Sequence, residues 1–194
     1  MINRIVNKNY KYNNSHNWLS KITICFLLVT FFTTVGSQAL LNSEKLQLNS
    51  EINNIPDDWK LLEYKPADSN EVWFFRKNIG AKALKEHKSL NTLVYFTLKF
   101  VPKDLTGLPT AKDASVLYVF EENIIPLVEK ATSSILVASV LKAGVKDHLF
   151  YVSSPELFIQ VIGEYKPAFS NFKIEVEKSY DPNWEAYSDF PDGN

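Results

Sequence analysis

Residues 91–101, NTLVYFTLKFV, decide the fold because they carry the clearest strand pattern in the chain. Val94, Phe96, Leu98 and Phe100 recur at every second position, so an extended backbone places all four on one side. A period of two is the signature of a β-strand with one face in a hydrophobic core.

A helix is predicted directly after this strand. Thr110 and Asp113 resemble a capping box, with aspartate in place of the usual Glu or Gln. Behind them, apolar residues recur at spacings of three and four between Leu117 and Ala131, which predicts one apolar helical stripe. Pro126 lies inside this stripe and should kink or split the helix, because it removes one backbone hydrogen bond.

Two further strands, a helix and a last strand complete the predicted core. Residues 135–141 and 149–152 form a hairpin around Gly144, Pro155 opens a second helix, and residues 172–176 alternate again. The order β-α-β-β-α-β predicts an α+β two-layer sandwich with a ferredoxin-like core. Two helices should cover one sheet face and leave the other at least partly open.

The flanking segments extend this core at both ends. Residues 59–65 and 72–77 predict an N-terminal β-hairpin, and residues 79–90 are ambiguous between a short helix and a loop. A short extended segment is expected after the last strand. We therefore expect a polar linker over residues 40–55 and one domain over residues 56–194, in line with the average composition of 45% hydrophobic and 22% charged residues.

The first 39 residues predict an export signal. They contain four Lys and Arg residues and no acid, and an apolar run over residues 22–35 follows. As a helix this run spans about 21 Å, short of the roughly 30 Å hydrocarbon core. Ser37 and Ala39 then predict cleavage before Leu40 and a periplasmic or secreted protein. The alternative is a single-span membrane protein that residues 22–35 tether uncleaved.

Charge and cysteine content exclude several kinds of site in the predicted domain. The chain has 21 Lys and Arg and 22 Asp and Glu, so removal of four leader cations leaves 17 basic against 22 acidic residues. Nucleic-acid affinity depends on clustered cations, so no nucleic-acid partner is expected. The only cysteine, Cys25, lies in the leader, which leaves the domain without a disulfide or a thiol nucleophile.

Two motifs resemble those of the domain of unknown function 695 family. They are Gly144–Val152, a Gly-basic-Asp strand that ends in aromatic residues and Val, and Asp181–Phe190, which reads Asp-Pro-Asn-Trp and closes on Asp-Phe. Asp57–Trp59 is similar to the family's opening, and Gly107–Pro109 to its loop before the first helix. The resemblance covers about residues 57–190. It implies a fold shared with the ribonuclease E regulator B proteins and implies no established activity.

His148 is the candidate general base, because it lies beside Asp147 in the predicted hairpin. Adjacent strand residues point to opposite faces, so these two cannot pair with each other and His148 would need another partner. The alternative is a solvated or hydrogen-bonded histidine without a catalytic role. The sequence contains no hydrolase elbow, zinc-protease, phosphate-loop or dinucleotide motif.

Asp181, Glu185 and Asp189 are the candidate metal ligands. On a helix their spacing of four would place three carboxylates on one face, where they could hold a hard cation such as calcium. The same residues are equally compatible with an extended segment that turns Trp184 toward the core and Tyr187 toward water.

Aromatic residues are the candidate ligand-binding set. Tyr95 and Tyr151 lie on neighbouring central strands and could share the open sheet face, as stacking residues do in RNA-recognition modules. Trp184 and Tyr187 of the C-terminal motif and His148 of the predicted hairpin join them as ligand-binding candidates. The alternative is that the tyrosines simply pack beneath the N-terminal hairpin.

The sequence therefore predicts an exported, non-catalytic binding or interaction domain of the cell envelope. No cofactor is expected, and the partner would be a protein or a small-molecule ligand of unknown identity. The alternatives are an envelope hydrolase that uses His148 or the C-terminal carboxylates, and a structural subunit of an envelope complex.

Overall fold

The structure is a computed structural model that describes residues 40 and 42–191. The predicted leader, residues 1–39, lies outside the described residues. The chain divides into two units, Met1–Glu44 and Lys45–Asn194. The described residues of the first unit are helical. Within the described part of the chain, no helix is long and apolar enough to cross a membrane.

The second unit alternates strands and helices along the chain. Helix α1 covers residues 45–53 of this unit. The elements that follow are β1 (Trp59–Tyr64), β2 (Trp73–Asn78), a 3-10 helix (Gly80–Leu84), β3 (Thr92–Lys99), α2 (Ala111–Val119), a π-helical turn (Phe120–Ile124), α3 (Ile125–Thr132), β4 (Ser134–Lys142), β5 (Val145–Val152), α4 (Pro155–Glu164), a second 3-10 helix (Lys166–Phe169), β6 (Lys173–Tyr180) and α5 (Glu185–Asp189).

The described strands form a six-stranded sheet in the order β1-β2-β4-β5-β3-β6. All neighbouring strands are antiparallel, so the α+β prediction is confirmed. Strand β3 lies between β5 and β6, where Phe96 is opposite His148 on one side and Val176 on the other. The strand that the sequence marks most clearly is therefore an inner strand.

Helices α2, α3 and α4 cover the first face of the sheet. Val94, Phe96, Leu98 and Phe100 lie in this core with at most 9% of their surface exposed, as the alternation predicts. They pack with Phe120 and other apolar residues of the helices and of β5. Burial of this surface, at about 25 cal/mol per Å², supplies the driving force for this layer.

The predicted split of the first helix is also present. The Oγ1 atom of Thr110 accepts the backbone N–H of Asp113 at 3.1 Å and caps α2. Between α2 and α3 the backbone widens into a π-helical turn, and Pro126 follows in the first turn of α3. Proline cannot donate the hydrogen bond that a continuous α-helix requires, which explains the interruption.

The second face is covered at one end, where the sequence predicts an open surface. Helix α1, the 3-10 helix Gly80–Leu84 and helix α5 contribute to a second core on this face. Leu48 of α1 is 4% exposed although residues 40–55 were expected to form a polar linker. The sequence pattern did not reveal this helix because few apolar residues mark its buried side.

The C-terminal segment forms a short helix, so the prediction of an extended segment is wrong. The Asp181 carboxylate accepts the backbone N–H groups of Glu185 at 2.8 Å and Ala186 at 3.1 Å. These bonds satisfy donors at the start of α5 that otherwise lack a partner. Trp184 adopts a left-handed conformation, with φ of 55°, at the entry to this helix.

Substitution of Gly80 should test how tightly the start of the 3-10 helix packs. A Cβ atom at this position would lie 1.9 Å from the Pro56 carbonyl oxygen, so Gly80→Ala forces a backbone shift. We expect a loss of about 1 to 3 kcal/mol in the free energy of unfolding, measured by urea denaturation. Gly163→Ala is the matched control, because nothing lies within 4 Å of its Cβ and helix α4 should gain about 0.5 kcal/mol or more. Equal effects of the two substitutions would contradict this packing.

Candidate functional site

A cluster of charged side chains lies beneath the π-helical turn on the first sheet face. Arg76 of β2 is opposite Ser139 of β4, which is opposite His148 of β5, so the three side chains form a row across the sheet. Lys146 lies two residues before His148 and therefore points to the same face. Glu121 projects from the π-helical turn onto this row. We call these five residues the Glu121 cluster.

The Glu121 carboxylate contacts three side-chain donors. Its Oε2 atom lies 2.7 Å from Arg76 Nη1, and its Oε1 atom lies 2.8 Å from Lys146 Nζ and 3.1 Å from His148 Nε2. Lys146 also donates to Ser139 Oγ at 3.0 Å. Side-chain exposure falls from 34% for Arg76 to 15% for Glu121 and 0% for His148, so the cluster reaches solvent only at its Arg76 end.

Burial and mutual contact set the charges in this cluster. Burial alone would raise the pKa of Glu121, but the hydrogen bond from His148 and the charge of Lys146 hold that pKa well below its usual range. Burial lowers the pKa of both Lys146 and His148, although Glu121 opposes the shift in each case. Glu121 is therefore ionised and His148 is neutral at physiological pH.

His148 is placed as a structural histidine. Its Nδ1 atom lies 3.3 Å from the Phe96 carbonyl oxygen, and its Nε2 atom faces Glu121. Both neighbours are acceptors, whereas a neutral imidazole carries one N–H, so we assign that proton to Nε2 on the shorter contact. With no exposed surface, the ring cannot reach a substrate, and the predicted role of His148 as a general base has no geometric support.

A cavity of about 400 Å³ adjoins the Glu121 cluster at the end of the sheet. We call it the sheet-end cavity. It is bordered by α1, the start of β1, the end of β2, the π-helical turn, α3 and the start of β4. Its lining residues are Ile52, Asn53, Ile55, Asp57, Trp59, Arg76, Asn78, Glu121, Glu122, Ile125, Pro126, Glu129, Ile135 and Leu136.

Glu129 is the second unusual carboxylate of this cavity. Its Oε1 atom accepts the backbone N–H of Leu136 at 2.5 Å, beside an irregularity in the pairing of β4 with β5. The amide of Asn78 donates to the carbonyl of the same residue at 3.4 Å. Burial raises the pKa of Glu129 to about 7, so this carboxyl group titrates near neutral pH whereas the Glu121 carboxylate is ionised.

The structure brings three of the predicted aromatic residues together, in the second core. Tyr151 stacks on Trp184 with ring centroids 4.0 Å apart and planes 3° apart. Trp184 donates its indole N–H to the Leu90 carbonyl, and Tyr187 donates its hydroxyl to the Asn78 carbonyl. Tyr151 and Trp184 are 0% exposed, so their rings stabilise the fold and present no surface to a ligand, whereas Tyr187 is 4% exposed.

The remaining predicted residues lie near this aromatic layer. Tyr95 is half-buried, and burial together with Asp147 raises its pKa. The Tyr151 hydroxyl donates to Asp181 at 2.6 Å, which leaves Asp181 engaged in the fold. Within the part of the chain that is described, no group of three or more His, Cys, Asp or Glu residues could hold a metal ion, so Asp181, Glu185 and Asp189 do not assemble one.

Sequence reasoning missed Arg76, Glu121 and Glu129. Each lies in a segment whose secondary structure is easily predicted, but their convergence depends on the tertiary arrangement of the sheet and helices. A weak signal was available, because Lys146 and His148 place two polar residues on the face that Phe150 and Val152 continue into the core. Polar residues on a buried face require partners.

Removal of the Glu121 charge should destabilise the domain. Glu121→Gln leaves Lys146 buried without a counter-charge, and we expect a loss of about 2 to 4 kcal/mol in the free energy of unfolding. The additional substitution Lys146→Met should recover part of that loss. Glu122→Gln is the matched control on the next, exposed residue and should change stability by less than about 0.5 kcal/mol. Similar losses in both single variants would contradict the structural role of Glu121.

The raised pKa of Glu129 predicts a pH dependence of stability. The folded protein holds this proton up to a pKa of about 7, whereas the unfolded chain releases it near the ordinary glutamate pKa of 4.5. The unfolded state then binds fewer protons, so this contribution to stability is lost as pH rises through that window. Between about pH 5 and pH 8, the free energy of unfolding of Glu129→Gln should rise relative to that of the wild type. We expect a change on the order of 2 kcal/mol after allowance for partial exposure, measured by urea denaturation. A difference that does not change with pH would contradict the shift.

The comparisons with known proteins identify a family and nothing more specific. No curated protein and no solved structure matches the chain. The model of the Family of unknown function (DUF695) matches residues 57–190, from the residues before β1 to the residue after α5. This match spans the six described strands and all four carboxylates of the sheet-end cavity, and the chain therefore belongs to that family.

Proposed function

We propose that this chain is an exported, non-catalytic domain that binds a small ligand in the sheet-end cavity. The observation that carries the proposal is a concave site in which several polar and charged side chains converge beside a smaller apolar area. The volume of about 400 Å³ falls within the range of small-molecule sites. Glu121 and Arg76 hold each other in place at its border, so part of the site is preorganised.

The ferredoxin-like description of the core belongs to the same proposal. Two observations support it. The four strands β4-β5-β3-β6 are adjacent and antiparallel in the sheet, and a helical segment connects β3 to β4 and another connects β5 to β6. These observations support a split βαβ plan, to which β1 and β2 would add a hairpin beside β4.

The charges of the cavity favour a ligand that carries an amine. Arg76 is paired with Glu121, which leaves Asp57 and Glu122 as acidic groups without a cation in the described lining, together with Glu129, which is only partly ionised near neutral pH. Ile52, Ile55 and the other apolar residues offer a surface to a short hydrocarbon. A primary amine on a short apolar chain satisfies both requirements, because it places a cation beside carboxylates and buries its methylene groups.

A hydrolase is the second candidate function. Glu129 favours it, since a carboxyl group that titrates at about 7 is suited to general acid catalysis, and the same cavity holds the ionised carboxylate of Glu121. The residues first suspected do not support it, because His148 is buried and Asp181 is occupied by Tyr151 and by two backbone N–H groups. Binding without turnover is therefore the leading proposal.

Export rests on the leader, whose basic residues and short apolar run precede a Ser-Gln-Ala sequence. The native N-terminus, determined by mass spectrometry, distinguishes a cleaved signal from an uncleaved anchor. In either case the proposed ligand would be met outside the cytosol.

The indole N–H of Trp59 provides a direct readout of ligand binding in the cavity. We expect putrescine and lysine methyl ester to shift this signal in proton–nitrogen NMR spectra of the full chain, and succinate to leave it unchanged. The double variant Asp57→Asn, Glu122→Gln should weaken amine binding about tenfold, because it removes two of the carboxylates that face the ligand. Glu156→Gln, Glu164→Gln is the control, since both residues are exposed on α4 and the charge change is the same.

Two results would contradict the binding proposal. One is an indole signal that no amine shifts, or amine binding that survives the double variant unchanged. The other is turnover of an ester or a glycoside by the wild type that Glu129→Gln abolishes, which would establish the hydrolase instead.

A further inference from the structure

A second pocket, on the opposite side of the β1–β2 hairpin, is lined by lysines. Adjacent residues of a strand point to opposite faces, so Trp59 and Arg76 border the sheet-end cavity while Lys60 and Lys77 point away from it. This cationic pocket has a volume of about 300 Å³. Its lining residues are Lys60, Lys77, Ile79, Lys82, Lys85, Tyr187 and Ser188.

The lysines converge from two different elements. Lys60 and Lys77 are direct cross-strand partners in the β1–β2 pair, where two like charges destabilise a sheet. Lys82 and Lys85 come from the 3-10 helix Gly80–Leu84 and the residue that follows it. Lys60, Lys82 and Lys85 bring three ammonium groups to the cavity beside Lys77, and an anion in the cavity lowers the repulsion among these three.

One of the four lysines is built into the fold. Lys77 is 3% exposed, and its Nζ atom donates to the Phe190 carbonyl at 2.8 Å and lies 4.6 Å from the centre of the Tyr187 ring. Of the other three, Lys60 and Lys82 are exposed and Lys85 is partly buried. The pocket therefore has one fixed cation in its wall and three others that can close on a ligand.

Few carboxylates of the described residues lie near Lys60, Lys82 and Lys85. None of the described residues that line the pocket is acidic. Lys85 has one ion-pair partner, Glu86, at the long distance of 3.8 Å, whereas among the described residues Lys60 and Lys82 have no carboxylate within 4.0 Å. Residues 40–194 carry 22 Asp and Glu, whereas subtracting the four cations of residues 1–39 from the 21 Lys and Arg of the chain leaves 17, so the positive charge is local. A long polyanion would meet repulsion beyond the pocket, whereas a small anion would not.

The type of cationic side chain in the pocket determines which class of anion fits it best. The pocket has no arginine, the residue that pairs with a planar carboxylate through two parallel hydrogen bonds. Lysine ammonium groups act as compact point charges, which suit a phosphate group that concentrates nearly two negative charges on one centre at neutral pH. We infer that the cationic pocket is a binding site for a small phosphate-bearing ligand, a function independent of the amine site proposed above.

The test is a titration of the full chain with pyrophosphate and with glycerol 3-phosphate. Binding is measured by calorimetry and by the shifts of the NMR signals of Lys82, Lys85 and Ser188. Citrate, a carboxylate trianion, is the control ligand. We expect both phosphate compounds to shift these signals and citrate to bind about tenfold more weakly. Vesicles of phosphatidylcholine with and without phosphatidic acid form a second arm. Binding only to the phosphatidic acid vesicles would identify a lipid headgroup as the source of the phosphate.

Matched variants separate this site from general charge effects. Lys82→Gln, Lys85→Gln should weaken phosphate binding at least about tenfold, since it removes two of four cations from the pocket. Lys112→Gln, Lys130→Gln changes the net charge equally at exposed positions of α2 and α3 and should leave binding unchanged. The inference is overturned if no phosphate compound binds, if citrate binds as tightly as pyrophosphate, or if the two double variants behave alike. Loss of phosphate binding would leave the amine site untouched, so the two proposals fail separately.

Discussion

The structure depends on the neutralisation of one buried carboxylate. Glu121 is 15% exposed, and a carboxylate in that position requires charged donors within hydrogen-bond distance to remain ionised. Arg76 and Lys146 provide them from strands β2 and β5, while His148 adds a neutral donor from β5. The contact joins the π-helical turn, the sheet and the N-terminal hairpin. The same contact fixes the Arg76 side of the sheet-end cavity. The interaction that stabilises the domain therefore also shapes the proposed site.

The β1–β2 hairpin separates two surfaces of opposite charge. Trp59 and Arg76 point to one face of the hairpin and border the acidic sheet-end cavity. Lys60 and Lys77 point to the opposite face and border the cationic pocket. The strand period of two is sufficient to produce this separation. Both proposed sites therefore belong to the hairpin and its neighbours, and the aromatic layer of Tyr151 and Trp184 supports the sheet behind them.

The local sequence pattern predicted most of the helices and strands, whereas tertiary packing determines which residues form the candidate site. The alternation in β3, the cap at Thr110 and the interruption at Pro126 were readable because each depends on neighbours in sequence. Helices α1 and α5 were missed since their stability comes from the second core and from the Asp181 cap. The aromatic candidates were placed on a surface because an alternating strand does not reveal what covers its second face. Glu121 and Glu129 acquire their properties from burial, which sequence spacing does not specify.

The protonation state of Glu121 is the most direct test of this account. Carbon-13 NMR of the side-chain carboxyl carbon reports ionisation at this single residue as pH is lowered. The account predicts that Glu121 keeps the chemical shift of an ionised carboxylate at about pH 4, where a solvent-exposed glutamate is already largely protonated. A transition at or above the ordinary glutamate pKa would show that the Arg76, Lys146 and His148 contacts do not hold the charge, and would contradict the account.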